Sequence, residues 1–195
     1  MDFELPEEYR MLQDTVRRFV RQELMPLEAT VLERDTQGMT GEDLVPPEAE
    51  ERLLSVAREA GLWGLDVPEE FGGLNLSTLP KCLATEELYK TITPFTLPPD
   101  APNLHMLMQT CTPEQREKYL LPYAQGKAQS AIAISEPGAG SDPAGMQTTA
   151  VKKGDQWVIN GRKIWISRAH VADFIIVMAV TDKEKGTRGG TTAFL

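Results

Sequence analysis

Val158-Ile159-Asn160-Gly161-Arg162-Lys163-Ile164-Trp165-Ile166-Ser167 is the stretch on which the fold turns. β-branched and aromatic residues flank Asn160-Gly161, a dipeptide that favours a tight two-residue hairpin turn. The pattern predicts strands over Gln156 to Asn160 and Lys163 to Ser167. Outward from it, Ser130 to Ser135, Gln147 to Val151, Asp173 to Thr181 and Thr191 to Leu195 are short apolar or β-branched segments. Most are separated by turn signals: Pro137-Gly138-Ala139-Gly140, Lys153-Gly154-Asp155 and Gly189-Gly190. Residues 129–195 therefore read as an antiparallel β domain.

Residues 1–128 have a different period. Tyr9, Leu12, Val16, Phe19, Val20, Leu24 and Leu27 recur at spacings of three and four, broken only by the adjacent Phe19-Val20 pair. Pro6 suits a first helical turn, and Glu7 and Glu8 face the positive end of the helix dipole. A second helix is expected from Pro47 to about Ala60, with Leu53, Leu54, Val56 and Ala57 inward and Gly61 closing it. Phe71-Gly72-Gly73 reads as a turn, and Leu79 to Lys90 as a third helix capped by Ser77 or Thr78. A proline-punctuated loop runs from Thr91 to Pro102, and Asn103 to Thr110 suits a buried helix. Thr112-Pro113-Glu114-Gln115 carries a capping-box signature, and that helix is expected to stop near Leu121-Pro122. The fold class is α+β, a helical domain at 1–128 followed by a β domain at 129–195.

Composition narrows the function. Of 195 residues, 41% are apolar and 25% charged, which is ordinary globular usage. The formal net charge of −9 argues against a general nucleic-acid binder. Residues 1–70 hold 18 acids and 7 bases, whereas residues 71–195 hold 11 acids and 13 bases, so an anionic ligand is expected in the second part. The longest apolar run, Phe174 to Val180, is too short for a membrane helix. Met1-Asp2-Phe3-Glu4 has no apolar leader, which sets the expectation of a cytoplasmic protein. Cys82 and Cys111 lack metal-ligand spacing and read as reduced thiols; no metal site is expected. His105 and His170 have no neighbours that suggest catalysis. The chain ends at Thr192-Ala193-Phe194-Leu195, an apolar strand with no closing turn, as expected of a piece of something longer.

Two segments can carry chemistry. In Ser135-Glu136-Pro137-Gly138-Ala139-Gly140-Ser141-Asp142, glycines let a backbone approach a bulky anion, and successive N–H groups can face phosphate oxygens. The Walker ending is missing, and no helix follows as a dinucleotide-binding loop would need. The other reading is a tight connection between strands. On the second segment, strand alternation puts Lys163, Trp165 and Ser167 on one face and Ile164 and Ile166 on the other. An indole beside a hydroxyl suits a flat heteroaromatic ligand. The alternative packs Trp165 inside a barrel and leaves Ser167 to water. Trp157 is expected in the core or in a cross-strand pair.

Together, Ile132 through Asp142 and Val158 through Ser167 closely resemble the acyl-CoA dehydrogenase family. Gly61-Leu62-Trp63-Gly64, Pro68-Glu69-Glu70-Phe71-Gly72-Gly73 and Glu114-Gln115-Arg116-Glu117-Lys118-Tyr119-Leu120 extend the resemblance over nearly the whole chain. It implies FAD-dependent oxidation of the Cα–Cβ bond of an acyl-CoA thioester, an electron-transferring flavoprotein as acceptor, and a homodimer or homotetramer. By position, Ile132, Ile134, Ser135, Gly140, Ser141, Trp165, Ile166 and Ser167 would contact the cofactor. Trp165 would lie on the isoalloxazine, Ser135 and Ser167 would bond its edge, and Ser141 would meet the pyrophosphate or the acyl-CoA. Ser replaces the family's usual Thr at 135 and 167, and Ile132 replaces a frequent aromatic. The general base, a Glu, is expected in the family's C-terminal helical bundle, outside these residues; Glu136 is not nominated. The alternatives are a non-catalytic partner or assembly module on the same scaffold, and an acyl-CoA oxidase-like flavoenzyme.

Overall fold

A computed structural model of the chain describes residues 4–186 and 188–195. The reading of residues 1–3 as part of a leaderless terminus lies outside them. The chain packs as two compact units, Met1–Asp100 and Ala101–Leu195.

The first unit holds α1 (Glu7–Phe19), α2 (Glu28–Thr36), α3 (Pro47–Glu59) and α4 (Thr78–Leu88). α1 starts where expected: the Pro6 carbonyl accepts from the Tyr9 and Arg10 N–H groups. The adjacent Phe19-Val20 pair has a structural cause. α1 runs into a π-helical turn at Val20–Leu24, and the wider turn lets Phe19, Val20 and Leu24 all be buried. Pro26 then tightens the chain into a 3₁₀ turn at Met25–Leu27. The Leu24 carbonyl accepts instead from the buried Thr93 hydroxyl at 2.9 Å. α2, continuing this path to Thr36, escaped the periodic reading because Pro26 and its short length obscure the stripe.

Val16, Phe19, Val20, Leu24, Leu53, Ala57, Leu62 and Ala84 form the core of this unit. Each fully buried large aliphatic or Phe side chain contributes roughly 1.5–3 kcal/mol. Leu54, expected inward on α3, is exposed because the buried stripe is the narrower one set by Leu53 and Ala57. Gly61, at φ +73°, ends the helix as expected. α1 and α4 are also tied by charge. Arg17 grips Glu87 through Nε (3.2 Å) and Nη2 (2.7 Å), and Lys90 adds a third contact at 2.9 Å. Glu87 is 1% exposed, and the Arg17 bond holds its carboxyl below the usual range against the opposing effect of burial.

The second unit begins with α5 (Leu104–Thr110) and α6 (Pro113–Gln115), the latter started by the predicted capping box of Thr112 and Gln115. The helix does not stop at Leu121-Pro122. A π-helical turn at Arg116–Leu120 leads into α7 (Leu121–Ala124), with the Leu121 N–H reaching back to the Arg116 carbonyl. The ladder has already shifted register there, so the missing N–H of Pro122 does not end it. Tyr119 and Tyr123 pack against Phe174 at 5.2 and 5.7 Å between ring centroids, and Asn103 bonds Ser130. These contacts group α5–α7 with the sheet. The expected boundary at 128/129 marks a change of secondary structure, while the boundary by packing falls at residue 100.

The sheet contains β1 (Ser130–Ala133), β2 (Thr149–Lys153), β3 (Gln156–Asn160), β4 (Phe174–Val180) and β5 (Thr191–Phe194). It is mixed, not wholly antiparallel. β1 pairs β4 in parallel from Ser130↔Phe174 to Ala133↔Val177, and β2 meets β4 in parallel at Thr149↔Val180. β2–β3 and β4–β5 are antiparallel. The long path from β1 to β4 supplies the crossover that a parallel pair needs.

Two expectations around Asn160-Gly161 fail together. The β2–β3 hairpin turns at Gly154-Asp155, where Gly154 at φ +61° takes the first turn position. Gly161 instead ends β3 against Thr148: a Cβ there would lie 2.1 Å from Thr148 Oγ1 and 2.6 Å from its Cα. Residues 163–167 consequently leave the ladder, and no strand forms over Lys163 to Ser167. Trp157 is partly exposed and meets Phe194 edge to face at 5.3 Å. No helix among the described residues is long and apolar enough to cross a membrane.

Candidate functional site

The site is built where the chain leaves β1. Glu136 and Ala139 exchange backbone hydrogen bonds of 2.8 and 3.1 Å, closing a turn over Pro137-Gly138. The Glu136 side chain points inward, and the residue is only 7% exposed. Its carboxylate accepts from the backbone N–H of Gln147 (2.7 Å) and of Thr148 (2.9 Å) and from Lys163 Nζ (2.9 Å). Burial, the largest influence, pushes this carboxyl up. The Lys163 ammonium and the Gln147 and Thr148 backbone N–H groups outweigh it and hold the carboxyl at about 2. The Thr148 hydroxyl is buried beside it without reaching a hydrogen-bonding geometry of its own.

The second segment is fastened to the first. Lys163 Nζ also donates to the Ile134 carbonyl at 2.9 Å, and the Ile164 N–H donates to the Ser135 carbonyl at 3.0 Å. Trp165 follows at φ +58°, a conformation that is an outlier for a bulky residue. Its indole is 87% exposed. Arg168 is again left-handed, at φ +61°, and its Nη2 donates to Gln129 Oε1 at 2.9 Å. Gln129 and Asp173 close the far end: the Gln129 N–H reaches the Asp173 carboxylate at 2.8 Å, and the Asp173 N–H reaches the Gln129 carbonyl at 2.9 Å. The loop carrying Trp165 and Ser167 is thus anchored on both sides of β1.

Trp165 is not in the interior, so the barrel-core alternative fails. The carbonyls of Ile134 and Ser135 accept from Lys163 and Ile164, the two residues before Trp165. Ile132 is half-buried in β1, opposite Ile176; Ile166 is half-buried and Ser167 exposed. Gly140 and Ser141 are exposed, and a Cβ at Gly138 or Gly140 would meet nothing within 4 Å. Asp142 braces this bend by accepting from the Ala144 N–H at 2.9 Å. Lys163 does not share a face with Trp165 and Ser167, because the segment is no strand and its ammonium turns to Glu136. Glu136, Lys163 and Thr148 are the residues whose importance the sequence reading missed. An acid directly after an apolar strand, with a lysine inside a later apolar segment, was the available signal. Among the described residues, no three His, Cys, Asp or Glu side chains gather as a metal ion would require.

Gly138, Gly140 and Ser141 of the bend, Trp165 and Ser167 all stand exposed. Residues 6–127 match the family model described as acyl-CoA dehydrogenase, N-terminal domain, and residues 131–195 match its middle domain. An (R)-benzylsuccinyl-CoA dehydrogenase of Thauera aromatica is 46% identical over 202 residues, covering 100% of this chain and 50% of the relative. Butyryl-CoA dehydrogenase from Megasphaera elsdenii superposes with a TM-score of 0.72 at 34% identity, covering 100% of this chain and 49% of that one. An FAD complex of PigA superposes with a TM-score of 0.71 at 28% identity over 100% of this chain and 49% of its own. The chain spans about half the length of the relatives it matches, and over that span it belongs to the acyl-CoA dehydrogenase family.

Proposed function

We propose that residues 132–141 and 164–167 hold FAD in an enzyme that dehydrogenates the Cα–Cβ bond of an acyl-CoA thioester, and that this chain is its flavin-orienting half. The observation that carries the reading is Trp165: an indole 87% exposed, on a left-handed backbone, fixed at both ends of its loop. Strain of this kind costs on the order of 1–3 kcal/mol and persists where the surroundings impose it, often at functional sites. Covering one indole face, roughly 100 Å², returns about 2.5 kcal/mol at the usual area coefficient. The residues present fit the cofactor: an aromatic face, serine hydroxyls at 135 and 167 for the ring edge, and a glycine bend open to a bulky anion.

When bound, the flavin supplies hydride acceptance. The chain's own residues do the rest of the holding. Trp165 would offer its face to the ring, with Ile132, Ile134 and Ile166 as apolar lining. Ser135 and Ser167 would supply hydroxyls to the ring edge, and Gly140 and Ser141 would receive the pyrophosphate or the acyl-CoA. No base is assigned in this chain. Glu136 is unsuited, because a general base works best with a pKa near the operating pH, and this carboxylate sits at about 2 with its oxygens already bonded. The same reading takes an electron-transferring flavoprotein as acceptor and a homo-oligomer as the assembled form.

Fluorine NMR of 5-fluorotryptophan-labelled chain tests this, with Trp165→Phe assigning the resonance. FAD should shift the Trp165 signal saturably and leave Trp63 unmoved. An unmoved Trp165 signal up to millimolar FAD overturns the reading and favours a non-catalytic module.

A further inference from the structure

We propose that Lys163 and Glu136 are positioning residues: their buried ion pair clamps the Trp165 loop to the end of β1 and sets where the indole stands. The geometry itself does not depend on the flavin assignment; its consequence for ligand binding rests on that reading. Lys163 spans two acceptors on the β1 side, the Ile134 carbonyl and Glu136 Oε1, both at 2.9 Å. The next residue, Ile164, donates to the Ser135 carbonyl between them at 3.0 Å. Three consecutive residues, 134, 135 and 136, are therefore bound by two consecutive residues, 163 and 164. Trp165 follows with no intervening residue to absorb a displacement.

The other end of the clamp is equally constrained. Glu136 takes the Gln147 and Thr148 N–H groups, and Gly161 fits against Thr148 with no space for a Cβ. The Lys163 and Glu136 side chains are only 11% and 6% exposed. Desolvation makes a buried ion pair a poor source of net stability, and replacement by apolar residues is often neutral. What the pair supplies here is one geometry for the segment that presents the indole.

The test uses Lys163→Met, which keeps length and removes the ammonium, and Lys163→Arg, which restores charge and donors. In the chain without FAD, Lys163→Met should raise exchange of the Ile164 amide at least tenfold and move the Trp165 fluorine resonance. The amides of α3 should stay as in the wild type, and Lys163→Arg should return both signals toward it. A merely structural role would lower the melting temperature and leave both signals of the folded protein unchanged, and that result overturns the proposal.

Should Lys163→Met fail to fold, wild-type exchange decides. The amides of Gln147, Thr148 and Ile164 should open with one shared protection factor. An unprotected Ile164 beside protected Gln147 and Thr148 overturns the clamp. The two readings also separate. Clamp signals as expected, with no FAD response in the wild type, support the clamp and defeat the flavin assignment. Equal FAD binding by wild type and Lys163→Met, with an unmoved Trp165 signal, defeats the clamp alone.

Discussion

Acidification should weaken the site through Glu136, whose carboxyl stays ionised after ordinary exposed carboxylates have taken up their protons. The carboxyl lies at about 2 in the folded chain, against 4.5 for an ordinary glutamate. A group whose folded value is depressed stabilises the fold fully above its unfolded value, and that stabilisation is lost as pH falls through the folded one. For Glu136 the window runs from about pH 4.5 down to about pH 2. At 1.36 kcal/mol per pH unit, the contribution at neutral pH is roughly 3 kcal/mol. Glu136 is 7% exposed, so solvent screening takes little from this figure. Protonation leaves three donors, the Gln147 and Thr148 N–H groups and Lys163 Nζ, facing a neutral carboxyl.

Carbon-13 NMR of the glutamate side-chain carboxyls reads the titration directly, with Glu136→Gln assigning the signal. Urea unfolding of the wild type and of Glu136→Gln from pH 7 to pH 2.5 reads the stability. The variant should be less stable at pH 7, and the gap should shrink steadily below pH 4.5. A Glu136 resonance titrating near 4.5, or a gap that does not change with pH, would refute the account of a carboxylate held by buried donors.

Three further outcomes are expected. Gly161→Ala places a methyl 2.1 Å from Thr148 Oγ1; it should cost at least the ~1–3 kcal/mol of core overpacking in urea unfolding and speed exchange at Ile164. Trp165→Gly, which relieves the left-handed backbone, should leave stability within about 1 kcal/mol of wild type and weaken FAD binding read from the flavin's own fluorescence; wild-type binding would remove Trp165 from the site. Leu53→Ala, at a fully buried core position, should cost about 2–5 kcal/mol by cavity formation in chemical denaturation, with the carbon-13 titration of Glu136 unchanged.

The elements that were legible in the sequence are those decided by local forces. α3 begins at Pro47 and is closed by Gly61, the Thr112–Gln115 box forms, and β3 and β4 fall within a residue of their apolar runs. The failures are positions where a distant contact overrides the local signal. Asn160-Gly161 has hairpin chemistry, yet the glycine is required because Thr148 occupies the space its side chain would take. Phe19-Val20 violates a 3.6-residue period because the helix itself departs from it. Lys163 reads as the first residue of an alternating strand, but its ammonium has a buried carboxylate to meet, 27 residues earlier. The site shows the same division: Trp165 and Ser167 were found by residue type, whereas the pair that sets their backbone was not. A bulky residue is held at positive φ only by neighbours that leave it no alternative. The exposed stance of Trp165 therefore depends on the contacts at Ile134, Ser135 and Glu136 that hold the preceding two residues in place.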